Sequence, residues 1–270
     1  MFAGSPVLTE TKEFDRFPEG LVKIDYISGC ADKKNDWAYA WDPADCCGVG
    51  VVVLHGHGSH GDQLYTWRQT AVWCEAVRAA RCGLLTPNLR DNAWMSPEAA
   101  SDLADLIRFA KNEFNWKKVV ICSGSMGGSG GLIFASLYPE LVDGIGVMGA
   151  ATDLSSYVEW CDKQTLEVCG RIASAIRESY GSSERMSQHS VCRNAAKLTM
   201  PCLFYHGAED QIIPVSQARR LAGVMAESSG FFYREIYQGD HDSPCAFMPE
   251  VLDLLLKKLP ESEKQSVCEA

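Results

Sequence analysis

A chain of 270 residues with 46% hydrophobic content can bury most of its apolar surface in one large α/β domain, and two domains of ordinary size would be a tight fit. Its 25 Lys and Arg against 35 Asp and Glu leave a formal net charge of −10, which disfavours phosphate backbones and anionic surfaces, so no nucleic-acid partner is expected. No run reaches the roughly 20 apolar residues of a membrane span, and "MFAGSPVLTETKEFDRF" lacks both the basic start and the apolar core of a signal peptide. Several of the twelve cysteines, among them Cys74, Cys122 and Cys202, lie in apolar segments. They read as reduced core thiols of a cytoplasmic protein rather than as a disulfide framework.

In chain order, "LVKIDYI" alternates like a half-exposed strand, and "DWAYAWD" is expected to pair with it. "GVGVVVLHG" is a continuous apolar run ending in glycine, as a buried strand would. "LYTWRQTAVWCEAVRAA" reads as one helix and "CGLLTPNL" as a strand stopped at Pro87. "SPEAASDLADLIRFAKNEF" is a helix with Ser96 as N-cap, Pro97 in the first position, and Leu103, Leu106, Ile107 and Ala110 on one face. Next come strand "KKVVICS", a helix from about Ser125 to Tyr138, and strands "VDGIGVMGA" and "PCLFYHG". Helix "VSQARRLAGVMAES", strand "FFYREIY" and helix "FMPEVLDLLLKKL" complete the series. Such alternation implies one domain over 1–270, a doubly wound, mostly parallel sheet covered on both faces. The segment 152–197 has no clear buried strand and reads as a cap or lid inserted over the sheet edge, and the polar tail 261–270 as disordered.

The stretch "CSGSMGGSGG" holds two candidate nucleophiles. The pattern G-x-S-x-G is met literally at Ser129, between Gly127 and Gly131, whereas around Ser125 it is missed because Ser123 stands where the first glycine belongs. Context decides between them. A nucleophile elbow sits on the sharp turn between a buried strand and its helix, and after "KKVVICSG" only Ser125 can occupy that turn. Ser129 falls one turn inside the helix, where an alanine should be tolerated at little cost, and the surrounding glycines permit close packing of helix on strand.

From "SGSMGG" onward the chain resembles the α/β-hydrolase superfamily, over roughly 48–256. "HGAEDQIIP" is similar to the H-G-x-x-D-x-x-V-P segment of that superfamily and implies Asp210 as the acid, with Glu209 as its competitor. "YQGDHDSP" places His241 after the last strand, where the histidine of the family is found. The order Ser125, Asp210, His241 matches the family. The resemblance also implies an oxyanion hole formed by the backbone N–H groups of Met126, after the nucleophile, and His57, after the "HG" that ends an early strand. Within the superfamily the nearest likeness is to the prolyl-oligopeptidase-like and feruloyl-esterase-like branch, carried by "HGHGS", "LRDNAWMSPEAASDL", "SMGG" and "LTMPCLFYHGAEDQIIP".

The expectation is a serine hydrolase that cleaves carboxylic esters of small molecules, with a small peptidase or amidase as the alternative. Trp94 and Trp160 are candidates to line an acyl or aryl pocket. No cofactor or metal is expected. A rival reading takes "HGHGSHGD", with His55, His57 and His60, as a zinc site. However, Ser59 stands where the corresponding metallo-β-lactamase motif needs aspartate, and a zinc site would leave the elbow unexplained. A non-catalytic binding protein on the same fold is the third reading. The oligomeric state is not legible.

Overall fold

The computed structural model describes residues 1–17 and 19–259, so the expectation for 261–270 lies outside the described residues. The strands are β1 (Val7–Glu10), β2 (Leu21–Ile27), β3 (Asn35–Trp41), β4 (Val49–Val52), β5 (Gly83–Pro87), β6 (Lys118–Gly124), β7 (Gly144–Met148), β8 (Cys202–Gly207) and β9 (Phe231–Ile236). The helices are α1 (Gln63–Thr66), α2 (Ala71–Ala79), α3 (Pro97–Glu113), α4 (Ser125–Leu137), α5 (Leu154–Cys161), α6 (Glu167–Tyr180), α7 (Ser183–Gln188), α8 (Val191–Asn194), α9 (Ser216–Val224) and α10 (Met248–Lys258).

All nine strands join one sheet in the order β1-β2-β3-β5-β4-β6-β7-β8-β9. Strands β4 to β9 are parallel, while β1, β2 and β3 are antiparallel to their neighbours. The central strands β5, β6 and β7 are buried on both sides, which explains why their sequences are apolar runs without alternation. One face packs Leu103, Leu106 and Ile107 of α3 and Leu132 and Phe134 of α4 against Val52, Ile121 and Ile145. The other packs Trp73 and Val77 of α2 and Val251 and Leu255 of α10 against Val51, Val120 and Leu203. The chain therefore leaves β4 toward one face and the adjacent β6 toward the other, which opens a crevice beyond their carboxyl ends.

Most expected elements are present, with local differences. The helix expected over "LYTWRQTAVWCEAVRAA" is broken: Trp67 is extended (φ −83°, ψ 133°) between α1 and a 3₁₀ turn, and α2 begins only at Ala71. Thr70 Oγ1 is tied to the Leu64 and Trp67 carbonyls at 3.0 and 2.7 Å, bonds that hold the break. Strand β4 ends at Val52, short of Gly56, because the chain there turns to bring its backbone over the end of β6. The short, mostly exposed β1 has no apolar pattern to announce it.

Segment 152–197 holds four helices and no strand. It is bonded to the loops that follow two of the strands. Tyr157 Oη donates to the Ile212 carbonyl (2.9 Å) after β8, and Tyr180 Oη donates to the Met95 carbonyl (2.9 Å) after β5. Arg185 pairs with Glu98 at 2.7 Å.

Candidate active site

Ser125 is the first residue of α4 and follows directly on β6. Its φ of +56° lies in the left-handed region, the conformation a strand-to-helix elbow imposes. The crowding that makes this turn sharp is visible at Gly127, where a Cβ would stand 2.1 Å from the Leu54 carbonyl oxygen. Ser123, the departure from glycine, is fully buried, and its Oγ accepts from the Leu54 N–H at 2.8 Å. The hydroxyl ties the elbow strand to the loop that follows β4. A glycine could not make that bond.

The structure brings Ser125, His241 and Asp210 together. His241 Nε2 lies 2.9 Å from Ser125 Oγ, and its Nδ1 lies 2.7 Å from Asp210 Oδ2. Asp210 is buried at the end of β8, whereas its competitor Glu209 is exposed. Burial by itself would raise the Asp210 pKa, but hydrogen bonds from His206 and His241 and the His241 charge hold it well below the usual carboxylate range. Its other oxygen, Oδ1, accepts the Ile212 and Ile213 N–H groups at 2.8 and 2.9 Å. With the carboxylate ionised, Nδ1 of His241 carries the proton and donates to it, which leaves Nε2 free to accept from Ser125. A serine so placed can surrender its proton to the imidazole as it attacks an electrophile.

Ser129 is also buried, but it is engaged structurally. Its Oγ donates to the Ser125 carbonyl (3.1 Å) and accepts from the Ala151 N–H (2.8 Å). This corrects the expectation that alanine is accepted there at little cost, because the Ala151 N–H would be left buried without an acceptor. Asp153 is occupied as the N-cap of α5, accepting from Ser156 N and Ser190 Oγ.

Met126 and His57 come from the ends of the neighbouring strands β6 and β4. Among the described residues, neither backbone N–H has a hydrogen-bond acceptor. Trp94 is fully buried and its Nε1 donates to His57 Nδ1 at 3.3 Å. It reaches the site through His57 and not by an open face. Half-buried Trp160 stacks on Tyr157 (6.1 Å, 17°), which in turn packs on Trp94 (5.7 Å), so the two tryptophans belong to one aromatic wall.

The imidazoles of the "HGHGSHGD" stretch point to separate partners. His55 Nε2 lies 2.8 Å from the Asn88 carbonyl, His57 is held by Trp94, and exposed His60 meets Asp91 at 3.2 Å. Among the described residues no three His, Cys, Asp or Glu side chains converge in a way that could hold a metal ion. Burial pushes the Cys122 and Cys202 thiols up to about 12, leaving them protonated and inert.

Three residues of the site escape the sequence patterns. Gly149, at the end of β7, has φ +58°, and a Cβ there would lie 3.6 Å from both Asp210 Oδ2 and His241 Nδ1. Tyr157 sits on α5, within segment 152–197. His206, the first residue of "HGAEDQIIP", lies 3.3 Å from Asp210 Oδ2.

A mostly parallel sheet with this strand order, a serine elbow on its central strand and an acid and a histidine on later loops define the α/β-hydrolase fold. The family model described as alpha/beta hydrolase fold matches residues 50–164. The esterase domain of a Rhodothermus marinus protein is similar in structure, with 15% identity, a TM-score of 0.65, and coverage of 88% of this chain and 98% of that one. A fluorophosphonate-binding serine hydrolase of Staphylococcus aureus gives 13% identity, a TM-score of 0.66, and coverage of 89% and 98%. The acylaminoacyl peptidase of Pyrococcus horikoshii gives 14% identity and a TM-score of 0.65, with 91% of this chain covering only 43% of that one. No curated protein matches the sequence. The chain thus has the α/β-hydrolase fold.

Proposed function

We propose that the protein is a serine hydrolase that cleaves carboxylic esters of small molecules through an acyl-enzyme on Ser125. The observation that carries this reading is the continuous chain from Ser125 Oγ through His241 to an ionised, buried Asp210. Ser125 attacks the ester carbonyl while His241 takes its proton, and Asp210 holds the imidazole in the tautomer this requires. The Met126 and His57 N–H groups are the donors for the developing oxyanion, each worth about 3 kcal/mol in the transition state. His241 then returns its proton to the leaving alcohol and, in the second half-reaction, activates the water that releases the acid.

The same machinery serves a small peptidase or amidase, a reading favoured by the likeness to the acylaminoacyl peptidase and by the prolyl-oligopeptidase-like motifs. A panel of p-nitrophenyl esters of rising chain length, feruloyl esters and aminoacyl amides separates the two, with Ser125→Ala as control. Turnover of amides above esters would overturn the esterase reading. Activity is expected to survive dialysis against a strong chelator. A loss restored by zinc would count against the serine mechanism. The segment 152–197 serves as a cap on the substrate side. The cytoplasm is the proposed location, on the strength of eleven described cysteines that are all free thiols.

A further inference from the structure

We propose that His206 is a positioning residue that steadies the Asp210 carboxylate through its Nε2–H and thereby sets the basicity of His241. The inference rests on the serine-hydrolase reading above. His206 ends β8 and is fully buried. Its Nε2 lies 2.9 Å from the Ile213 carbonyl and 3.3 Å from Asp210 Oδ2. Both are acceptors, whereas Nδ1 has no partner among the described residues. With acceptors only on the Nε2 side, the ring proton sits on Nε2, is donated to the Ile213 carbonyl and faces Asp210 Oδ2 at the longer distance.

That arrangement closes a small cycle. Ile213 gives its N–H to Asp210 Oδ1 and receives the His206 proton on its carbonyl, and His206 also reaches Asp210 Oδ2. Oδ2 is the same oxygen that takes the His241 Nδ1–H. A donor at Oδ2 spreads the carboxylate charge and weakens its hold on the imidazolium, so His206 lowers the proton affinity of His241 while fixing the carboxylate plane. The groups facing this cluster do not replace the donor. Glu235 lies opposite His206 on β9 and is paired with Arg219. The Tyr157 phenol and the Cys169 and Cys245 thiols near Asp210 are kept protonated by burial.

The test compares three variants. His206→Phe fills the ring volume without a donor. His206→Gln places an amide N–H where Nε2 stood, and His206→Asn is polar but too short to do so. The readouts are the His241 imidazole titration by NMR, assigned with His241→Ala, and kcat and KM for p-nitrophenyl acetate. In His206→Phe the His241 midpoint should rise by roughly half a unit, and kcat should fall about tenfold with KM little changed. His206→Gln should restore the wild-type midpoint. If the Phe variant does not fold by circular dichroism, the Asn variant takes its place and should show the raised midpoint that Gln reverses. An unchanged midpoint, or equal shifts in the Gln and donor-less variants, would overturn the proposal and leave His206 as a tether for the Ile213 carbonyl. The NMR readout needs no turnover, so an inactive wild type would count against the esterase reading alone.

Discussion

Ser125 is held at φ +56°, a conformation that costs a non-glycine residue about 1–3 kcal/mol and persists only where its surroundings impose it. Those surroundings are single hydrogen bonds: Ser123 to Leu54 on one side, Ser129 to the Ser125 carbonyl and Ala151 on the other. A fluorophosphonate adduct should map to Ser125 and vanish in Ser125→Ala. Ser129→Ala should still label but lose about 1–3 kcal/mol of stability by denaturant unfolding, since it orphans a buried N–H. Labelling lost in Ser129→Ala and kept in Ser125→Ala would invert the elbow assignment. Asp210→Asn should lower kcat on the order of 10³–10⁴-fold, because the amide favours the wrong imidazole tautomer. A loss under tenfold would dismiss Asp210 as the orienting group. Because the Asp210 pKa is depressed, that carboxylate stays ionised throughout the assay range. The fall of kcat/KM on the acid side therefore tracks protonation of the imidazole, and an acid limb unchanged in Asp210→Asn would contradict the coupling. Ser125, Asp210 and His241 were legible because each follows a recognisable strand in a short turn. The bonds of Ser123 and Ser129 were not, because their partners lie 69 and 22 residues away in sequence.

The loop after β5 is the element on which the site's aromatic wall depends. Leu89, Arg90, Asp91, Trp94 and Met95 all have φ between +46° and +62°, an unusual density of left-handed residues without a glycine. Two sets of bonds hold them. From below, Arg90 is clamped to Asp102 (2.6 Å), Ser28 (2.7 Å) and Asp32 (2.5 Å), while its N–H donates to Asp36 (2.6 Å). From above, Tyr180 of α6 reaches the Trp94 and Met95 carbonyls at 3.1 and 2.9 Å. Tyr180→Phe should therefore cost about 1–3 kcal/mol in unfolding free energy. It should also raise amide exchange across 89–95, measured by hydrogen–deuterium exchange. Unchanged protection there would show that the Arg90 clamp suffices alone. Strand and helix alternation made the doubly wound sheet readable, and the Ser96 cap of α3 is present as the sequence implied, accepting from Ala99 N. The break at Trp67 and the strained loop were unreadable. The break is held by the Thr70 hydroxyl from within the same segment, and the loop by hydrogen bonds from residues distant in sequence.

Across the whole molecule, the groups that link folding to pH act in two separate windows. His55, His57 and His189 have lowered pKa values, in each case first because burial disfavours the cation. An unfolded histidine titrates near ~6.5, so on acidification the unfolded chain takes up these protons before the folded one does. Their contribution to stability is complete above that value and declines as pH falls below it. The lowered carboxylates act further down. Asp210, Asp91, Asp153 and Glu98 contribute stability above their unfolded values near ~4 and lose it only at lower pH. Asp102, raised by burial, works in the opposite sense, and above its unfolded value rather than below it. Tm should therefore decline between pH 7.5 and 5.5, before any carboxylate with a lowered pKa titrates, each ~1 kcal/mol appearing as about 2–4 °C for a chain of this size. His189 is the group to vary, since it follows α7, 3.2 Å from Tyr180 Oη and outside the Ser125 cluster. In His189→Gln the difference in Tm between the two pH values should shrink, whatever the variant does to Tm at pH 7.5. A flat wild-type profile over this range would mean that the buried imidazoles do not drive it, and an undiminished slope in the variant would move the linkage to His55 and His57.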